Sequence, residues 1–520
     1  MRKIIAFVAL VFLSTACSSA EQVVPEEQAT PGEGSAVDSE ARIGRIETAL
    51  RPTFTIRGEQ PRSISLAERM DELNVPGVSV AVFEDGAIVW ARGWGLADVA
   101  GGRPVNSDTL FQAASISKPV AALAALRMVE QGALDLDGNV NDYLTSWQMP
   151  DNEFTADEKV TLRRLLNHSA GTTVWGFPGY GPDEEVPTTT GVLDGTGNTD
   201  PIRVFKEPGE SWRYTGGGYT VMQLMVADVA GRPFTEVMRE SVLEPAGMSH
   251  STYEQPLPAD RRDEAATGYR PDGSIVDGNY HTYPEQAAAG LWTTPSDLAR
   301  YAMAIQRANR GESGALLSPE TTREMLTPGM EDHGLGPGIE DGGARFGHGG
   351  SNEGFRCQLT AFTDGSGGIA VMTNSDNGSP LAQEIILTVA AEYSWPGLEP
   401  DERIVATLAP EAYQRLTGTY DIPDVIQVEV HYRDGSLWLI APESDDMEIL
   451  PESETDFFVR EDGRAVTFEI EGEIAYALDQ DDGSVKFHLR YTRIDDGDLK
   501  MIESFVHTKD LVLPFLPPQE

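Results

Sequence analysis

The sequence predicts a mixed α/β (α+β) protein, with a large domain of strands and helices followed by a small all-β domain. Three observations indicate this class. Apolar runs at residues 78–83 and 88–94, joined by a Glu-Asp-Gly turn, predict an early β-hairpin. Helix-forming apolar segments follow at residues 119–129 and 221–229. After residue 400, short alternating runs separated by Asp-Gly turns predict antiparallel strands.

The composition excludes several classes of function. The 520 residues, enough for two or three domains, carry 83 acidic and 39 basic side chains and a formal charge of −44. Binding of nucleic acid requires clustered Lys and Arg, so we expect no nucleic-acid partner. Two cysteines are too few for a disulfide framework, and we expect Cys357 to be a buried structural residue. We predict no metal site and no cofactor, since the calcium-like run at residues 135–139 lacks the later Gly and Glu of such a loop.

The N-terminal segment predicts export. A short basic start precedes an apolar run at residues 4–13, which is shorter than the roughly 20 residues of a membrane span and is typical of a signal peptide. The stretch before Cys17 resembles a bacterial lipobox. We therefore expect a signal peptide at residues 1–17, lipidation of Cys17 as the contact with a membrane, and a location in the periplasm or cell envelope. Plain secretion is the alternative. The Glu-, Pro- and Gly-rich residues 18–40 predict a disordered tether.

A serine and a lysine one helical turn apart are the first candidate catalytic residues. Ser115 and Lys118 stand at the head of an apolar helix, on the same face. A serine hydroxyl needs a neighbouring base to act as a nucleophile, and a lysine whose pKa is lowered by burial can be that base. The alternative on this stretch alone is an ordinary helix start. Lys118 is nevertheless the only one of seven lysines with a serine three residues before it.

Two glycine-rich stretches downstream supply further candidates. Tyr214 lies in a turn before the second apolar helix, where its hydroxyl could enter a cleft and where a nearby lysine would lower its pKa. His348 precedes Gly349-Gly350-Ser351 at the edge of predicted strands. Glycines there allow a ligand to approach the backbone, and an N–H group could hold an oxyanion. Taken singly, Tyr214 is more typical of a packing residue, and His348 of a solvated residue in a plain Gly-rich turn.

Together these stretches resemble the serine β-lactamase and penicillin-binding-protein superfamily, in its class C, DD-peptidase and esterase-like branch. That family carries S-x-x-K, Y-x-N and K-T-G or H-x-G in this order, and the chain reads Ser115-Ile116-Ser117-Lys118, Tyr214-Thr215-Gly216 and His348-Gly349-Gly350. Side signatures agree at residues 165–171, 208–210, 245–248 and 290–291. Within the first of them, we expect His168 to make local hydrogen bonds. The Gly- and Pro-rich residues 173–201 predict an exposed loop that shapes a cleft.

The resemblance, which covers roughly residues 60–395, implies the architecture and the catalytic roles. It implies a domain at residues 41–395 with a central antiparallel sheet flanked by helices, plus an all-helical part. Ser115 would be the acylated nucleophile, Lys118 its base or the partner of the base, and Tyr214 the proton relay to the leaving group.

The resemblance also implies how the substrate carbonyl would be held. His348 would line the cleft near the substrate carboxylate or carbonyl. The backbone N–H groups of Ser115 and Ser351 would form the oxyanion hole, beside Gly349 and Gly350.

Two positions depart from the family pattern. Gly216 replaces an Asn whose amide would hold a substrate amide or a lysine, and His348 replaces a permanently charged Lys. Both changes weaken the case for an efficient β-lactamase. They leave the class of leaving group open.

The C-terminal residues 400–520 predict an antiparallel sheet or a small β-barrel. The stretch Leu416-Thr417-Gly418-Thr419-Tyr420 resembles the start of a lipocalin-like domain. Such a barrel could bind a ligand, cover the active site or join subunits. A filled barrel that serves only for packing is the alternative.

The sequence therefore predicts an exported serine hydrolase that forms an acyl-enzyme. Its substrate would be a D-amino-acid peptide, an ester or a β-lactam, and its oligomeric state is left open. The alternative is a non-hydrolytic, penicillin-recognising or cell-wall-associated binding lipoprotein.

Overall fold

The computed structural model describes residues 33–422, 426–442, 445–468, 491–494 and 498–501. Cys17, the predicted signal peptide and the first part of the predicted tether lie outside the described residues. No helix among those described combines the length and the apolar character needed to cross a membrane.

Helices and strands alternate through the first 400 residues, and strands dominate thereafter. The α-helices are α1 (Glu33–Thr48), α2 (Leu66–Glu72), α3 (Ser117–Glu130), α4 (Leu162–Leu166), α5 (Thr189–Leu193), α6 (Gly216–Ala230), α7 (Phe234–Met238), α8 (Glu244–Ala246), α9 (Gln286–Ala289), α10 (Pro295–Asn309), α11 (Pro319–Met325), α12 (Gly378–Tyr393) and α13 (Pro410–Gln414). The strands are β1 (Phe54–Ile56), β2 (Gly77–Glu84), β3 (Ala87–Asp98), β4 (Arg103–Pro104), β5 (Phe111–Gln112), β6 (Trp292–Thr293), β7 (Gly338–Glu340), β8 (Arg345–Asn352), β9 (Phe355–Phe362), β10 (Gly368–Thr373), β11 (Asp401–Arg403), β12 (Gly418–Ile422), β13 (Ile426–Arg433), β14 (Ser436–Ile440), β15 (Met447–Pro451), β16 (Asp456–Val459), β17 (Ala465–Thr467), β18 (Tyr491–Ile494) and β19 (Asp498–Met501).

A seven-stranded antiparallel sheet in the order β4-β3-β2-β10-β9-β8-β7 forms the centre of the large domain. Both faces of the sheet are buried, as alternate residues of β2 show. Val78, Val80 and Val82 pack with α1 and α12, whereas Ala81 and Phe83 belong to the core that contains α3, α6 and α10. The predicted α/β (α+β) class, with a central antiparallel sheet flanked by helices, is confirmed.

Helices α3 and α6 form the interior of the helical part. Both are apolar around most of their circumference, which is why they are buried. Thr215 caps the start of α6 by accepting a hydrogen bond from the Gly218 N–H, and Gly231 ends it in the left-handed conformation. These caps fix where the turn that carries Tyr214 meets the helix.

The prediction of a disordered tether over residues 18–40 is wrong for its last eight residues. They belong to α1, which begins at Glu33. Ile43 and Ile46 of this helix are buried in the core that contains α12. Tertiary packing of these side chains supports a helix that composition alone does not favour.

The C-terminal strands form an eight-stranded sheet in the order β17-β16-β15-β14-β13-β12-β19-β18. Its pairs are antiparallel except for β12 with β19, which run parallel. The predicted sheet is confirmed, but the predicted closed barrel is not: among the described strands, β17 and β18 are the two edges and do not pair. Barrel closure requires pairing between the edge strands, which alternating sequence patterns do not reveal.

Candidate active site

Ser115 lies in a 3₁₀ turn, Ala114–Ile116, that leads directly into α3. The α-helix therefore begins slightly later than the sequence predicts. Ala114 has a φ of +49°, a left-handed conformation that a non-glycine residue rarely adopts and that costs about 1–3 kcal/mol. A hydrogen bond of 2.8 Å from the Ala113 N–H to the Leu291 carbonyl helps hold the turn. The strained residue thus directly precedes the candidate nucleophile.

Lys118 directs its amine at the Ser115 hydroxyl. The distance from Lys118 Nζ to Ser115 Oγ is 3.0 Å, and Nζ also donates to the Ala288 carbonyl at 3.0 Å. Only 2% of Lys118 is exposed. A buried amine within hydrogen-bonding distance of a serine hydroxyl is the geometry that proton transfer between them requires.

Tyr214 completes a cluster around the same hydroxyl. It lines the same cavity as Ser115, and its ring centre lies 4.7 Å from Lys118 Nζ. Burial raises the pKa of Tyr214 above its usual range, and the nearby Ser115 side chain offsets this only in part. The predicted lowering of this pKa is therefore wrong, because removal of the phenol from water outweighs nearby favourable contacts. Tyr214 is a neutral phenol that can donate a proton.

The third motif lies on β8, an interior strand of the sheet. A Cβ atom at Gly350 would come within 2.3 Å of the Ala113 carbonyl oxygen, so glycine allows this strand to lie against the turn that holds Ser115. Ser351 lines the cavity above Ser115. Gly349 pairs with Gln358 of β9, and its carbonyl lies 2.5 Å from His348 Nδ1.

His348 lies behind Tyr214, outside the cavity wall. The centres of the two rings are 6.0 Å apart. The structure thus brings Ser115, Lys118, Tyr214 and Ser351 to one cavity, whereas His348 contacts that cavity through Tyr214.

The cavity above Ser115 has a volume of about 260 Å³. Its walls combine the candidate catalytic residues, an aromatic loop and polar residues of the sheet. They are Ser115, Lys118, Trp175, Gly176, Phe177, Pro178, Tyr214, Ala288, Ala289, Ser351, Asn352 and Arg356. Arg356 is held by an ion pair of 2.7 Å with Asp376 and donates to the Asn352 carbonyl, so its charge is compensated within the protein.

Trp175 and Phe177 are the cleft residues that sequence reasoning did not single out. They belong to the loop at residues 173–201 that the composition predicts to shape a cleft. The sequence could have indicated them, because two aromatic residues stand within a Gly- and Pro-rich loop and large aromatic side chains usually pack against other groups.

His168 and His333 form a buried polar layer behind Tyr214. The ring of His168 lies 4.4 Å from that of Tyr214 and 5.1 Å from that of His333. His168 Nδ1 accepts a hydrogen bond of 3.2 Å from the Thr215 N–H, the local role that the sequence predicts. His333 was not predicted from the sequence, because a single histidine in a loop does not indicate whether it is buried.

Burial is the main reason that both imidazoles stay neutral. It lowers the pKa of His168 well below its usual value, and His333, Lys118 and His348 add to this. It likewise lowers the pKa of His333 to about 4, with a further contribution from Lys118. Two neutral rings therefore support the face of Tyr214 that is turned away from the cavity.

Comparison with known proteins finds two matching family models and several similar proteins. The family described as Beta-lactamase matches residues 65–392, and a domain of unknown function (DUF3471) matches residues 402–499. Penicillin-binding protein 4* of Bacillus subtilis is 24% identical over 430 residues, which cover 78% of this chain and 92% of that protein. Esterase EstB of Burkholderia gladioli is 29% identical over 315 residues, which cover 52% of this chain and 78% of the esterase.

A solved structure shows the same fold. It is that of the octameric penicillin-binding protein homologue from Pyrococcus abyssi, with a TM-score of 0.56 and 24% identity, covering 77% of this chain and 93% of that chain. The lipocalin-like resemblance of the C-terminal part is not confirmed, since the match there is to a domain of unknown function. The match at residues 65–392 spans more than half of the 520 residues and includes all three motifs. The chain therefore belongs to the Beta-lactamase family.

Proposed function

We propose that the protein is a serine hydrolase that works through an acyl-enzyme on Ser115. The observation that carries this proposal is the convergence on one hydroxyl. Lys118 Nζ lies 3.0 Å from Ser115 Oγ, and Tyr214 lines the same cavity with its ring centre 4.7 Å from Lys118 Nζ. Membership of a family with relatives named as a penicillin-binding protein and an esterase supports hydrolase chemistry.

The proposed reaction has two halves. Ser115 Oγ attacks the substrate carbonyl carbon, and its proton passes to Lys118. The bond to the leaving group then breaks, and the leaving group takes a proton from the Tyr214 phenol, which Lys118 replenishes. Water attacks the resulting acyl-enzyme, transfers one proton through the same residues to Ser115 Oγ, and releases the acid.

Backbone donors would stabilise the tetrahedral oxygen. Ser115 lies in the turn at the head of α3, and Ser351 lies on β8, which packs against that turn and lines the same cavity. Their N–H groups are the proposed oxyanion hole. Loss of one such donor typically costs about 3–4 kcal/mol of transition-state stabilisation.

Among the three substrate classes that the sequence leaves open, the cavity favours an ester. Gly216 presents no amide group to a substrate amide, and His348 supplies an imidazole behind Tyr214 in place of a permanent charge. Trp175, Phe177 and Pro178 give one wall an apolar surface. A peptide or a β-lactam would find fewer polar partners in such a cavity.

Labelling with acylating probes tests the proposal. A fluorophosphonate probe and a fluorescent penicillin should label the wild type and the matched control Ser313→Ala, whose serine is exposed. The Ser115→Ala variant should not be labelled by either. If no acylating probe labels the folded wild type, the enzyme is excluded and the non-hydrolytic binding lipoprotein becomes the better account.

We also propose export with a lipid anchor on Cys17. The basic start, the short apolar run and the lipobox-like stretch support it. In a bacterial host, wild-type protein should sediment with membranes, whereas Cys17→Ala protein should be recovered in the soluble fraction. Equal distribution of the two proteins would exclude the anchor and leave plain secretion.

A further inference from the structure

One wall of the cleft is built by a direct contact between the aromatic loop, which contains Trp175 and Phe177, and the start of α6. The Gly216 N–H donates to the Trp175 carbonyl at 2.8 Å, and the Gly217 N–H donates to the Val174 carbonyl at 3.0 Å. The Thr215 hydroxyl donates to the Val174 carbonyl at 3.1 Å. The first two backbone N–H groups of the helix, those of Gly216 and Gly217, are thus bound by the loop.

The loop is held in a conformation that its own sequence does not favour. Val174 has a φ of +63°, an outlier for a β-branched residue. Such strain persists only where surrounding contacts enforce it, and here the hydrogen bonds from Thr215 and Gly217 do so. The consequence is that Trp175 and Phe177 both face the cavity.

Phe177 occupies the space directly above Gly216. A Cβ atom at Gly216 would lie 2.8 Å from Phe177 Cε2 and 3.2 Å from its Cδ2. Any side chain at position 216 would therefore displace the ring. Glycine at position 216 therefore allows the Phe177 ring to occupy this space.

We propose that Phe177, seated on Gly216, forms an apolar subsite that takes an aryl or alkyl group of the substrate next to the reacting carbonyl. The surface offered there consists of the Phe177 ring, the neighbouring Trp175 ring and Pro178. The Trp175 and Tyr214 ring centres are 5.7 Å apart, so the subsite adjoins the catalytic phenol. This inference rests on the proposed function and makes Phe177 a residue that determines substrate specificity.

Isomeric esters give the sharpest test. Methyl phenylacetate carries its phenyl group on the acyl side, and benzyl acetate carries the same group on the alcohol side. Wild-type kcat/KM for at least one isomer should exceed that for methyl acetate by roughly tenfold, as expected for an apolar group entering an apolar pocket. The preferred isomer identifies which side of the carbonyl the subsite takes. Equal values for all three esters would overturn the proposal.

Phe177→Ala should abolish this preference. We expect the ratio of kcat/KM between the preferred aryl ester and methyl acetate to fall by about tenfold. The matched control is Phe154→Ala, which removes another partly buried ring away from the cavity and should leave the ratio unchanged. Retention of the wild-type ratio in Phe177→Ala overturns the proposal.

A binding measurement separates the subsite from the reaction. Saturation-transfer NMR on the Ser115→Ala variant should show contact with methyl phenylacetate or benzyl acetate that disappears in Ser115→Ala/Phe177→Ala. If the wild type hydrolyses no ester but this contact is present, the proposed function fails while the subsite stands. If esters are hydrolysed but neither aryl ester shows the contact, the subsite fails alone.

The contact between Gly216 and Phe177 has its own test in thermal stability. Gly216→Ala should lower Tm, because the added methyl group must displace the ring. The same substitution in a Phe177→Ala background should lower Tm less. An equal loss of Tm in both backgrounds would show that the ring does not fill the space above Gly216.

Discussion

The proposed chemistry at Ser115 depends on the exclusion of water from its two partners. Lys118 is 2% exposed, and Tyr214 is buried deeply enough for its pKa to rise above the usual range. The proposed proton transfer among Ser115, Lys118 and Tyr214 would therefore take place where hydrogen bonds are stronger than in water. Substitution of Lys118 or of Tyr214 therefore tests this chemistry.

Lys118→Ala should abolish hydrolysis while leaving the protein folded. Removal of the amine takes away the proton acceptor of Ser115, and general acid–base groups typically contribute about 10²–10⁴-fold to rate. The measurement is kcat on methyl acetate together with the thermal unfolding curve. Lys159→Ala, at a lysine with 41% of its side chain exposed, is the control. Undiminished kcat in Lys118→Ala would remove Lys118 from the mechanism.

Tyr214→Phe should lower kcat by about 10²–10⁴-fold with little change in KM, because only the acidic phenol is lost. The ring that packs between His168 and Trp175 is retained. Tyr219→Phe is the matched control, since the Tyr219 hydroxyl donates to the Leu166 carbonyl at 2.8 Å and has a structural role. That control should lose about 1–3 kcal/mol of stability and keep its kcat. An equal kcat loss in both variants would show that packing, not proton donation, matters at Tyr214.

At the scale of elements, the neutral imidazoles of His168 and His333 connect the segments that surround Tyr214. His168 follows α4 and accepts from the Thr215 N–H beside the start of α6. His333 belongs to the loop between α11 and β7 and packs against both His168 and His348. Protonation of either ring would place a buried positive charge in this cluster, close to Lys118. Acid is therefore expected to destabilise the packing around His168 and His333.

The free energy of unfolding should fall as pH decreases from about 6.5 to about 4. Well above pH 6.5 both rings are neutral in the folded and unfolded states, and they contribute no pH dependence. Below it the unfolded chain binds protons that folded His168 and His333 reject, because their pKa values are lowered. Each such proton changes stability by up to about 1.4 kcal/mol per pH unit.

Urea unfolding at pH 7, 6 and 5 measures this effect. His333→Gln should show a shallower pH dependence than the wild type, because one of the two proton-rejecting groups is gone. His431→Gln, at a half-exposed histidine of β13, is the control and should follow the wild type. Parallel curves for His333→Gln and the wild type would contradict the assignment of acid sensitivity to His333.

At the scale of the whole molecule, the C-terminal sheet is attached to the large domain near the N-terminus of that domain. Strand β1 pairs in parallel with β11, directly before the C-terminal strands. The Phe54 ring on β1 lies 6.0 Å from the Phe458 ring on β16 in an edge-to-face contact. Arg460 pairs with Glu59 at 2.9 Å on the surface nearby. An apolar contact and an ion pair thus hold the two parts together.

Phe54→Ala should loosen this attachment without changing the active site. Loss of a partly buried ring should cost about 2 kcal/mol, less than full burial would give. We expect faster limited proteolysis at residues 404–409 and unchanged kcat/KM on methyl acetate. Glu59→Ala, which removes only an exposed ion pair, should alter the proteolysis rate little. A matching loss of kcat/KM in Phe54→Ala would show that the C-terminal sheet supports the active site.

Several features of the fold and the site were predictable because their signals are local. The early hairpin, the apolar helices and the strands after residue 400 follow from periodicity and turn residues, and the structure contains each of them. Barrel closure and the extent of α1 were not predictable in this way. Both depend on whether distant segments pair or pack, which a run of side chains does not encode.

The order and spacing of Ser115, Lys118, Tyr214 and the glycines of β8 by themselves determined the family and the candidate chemistry. Only the tertiary structure decided the electrostatics and the shape of the cleft. It raised the pKa of Tyr214 where the sequence predicted a fall, and it set the Phe177 ring on Gly216. The reason is that motif residues are neighbours along the chain or in a known order, whereas burial and contact arise from segments that meet only on folding.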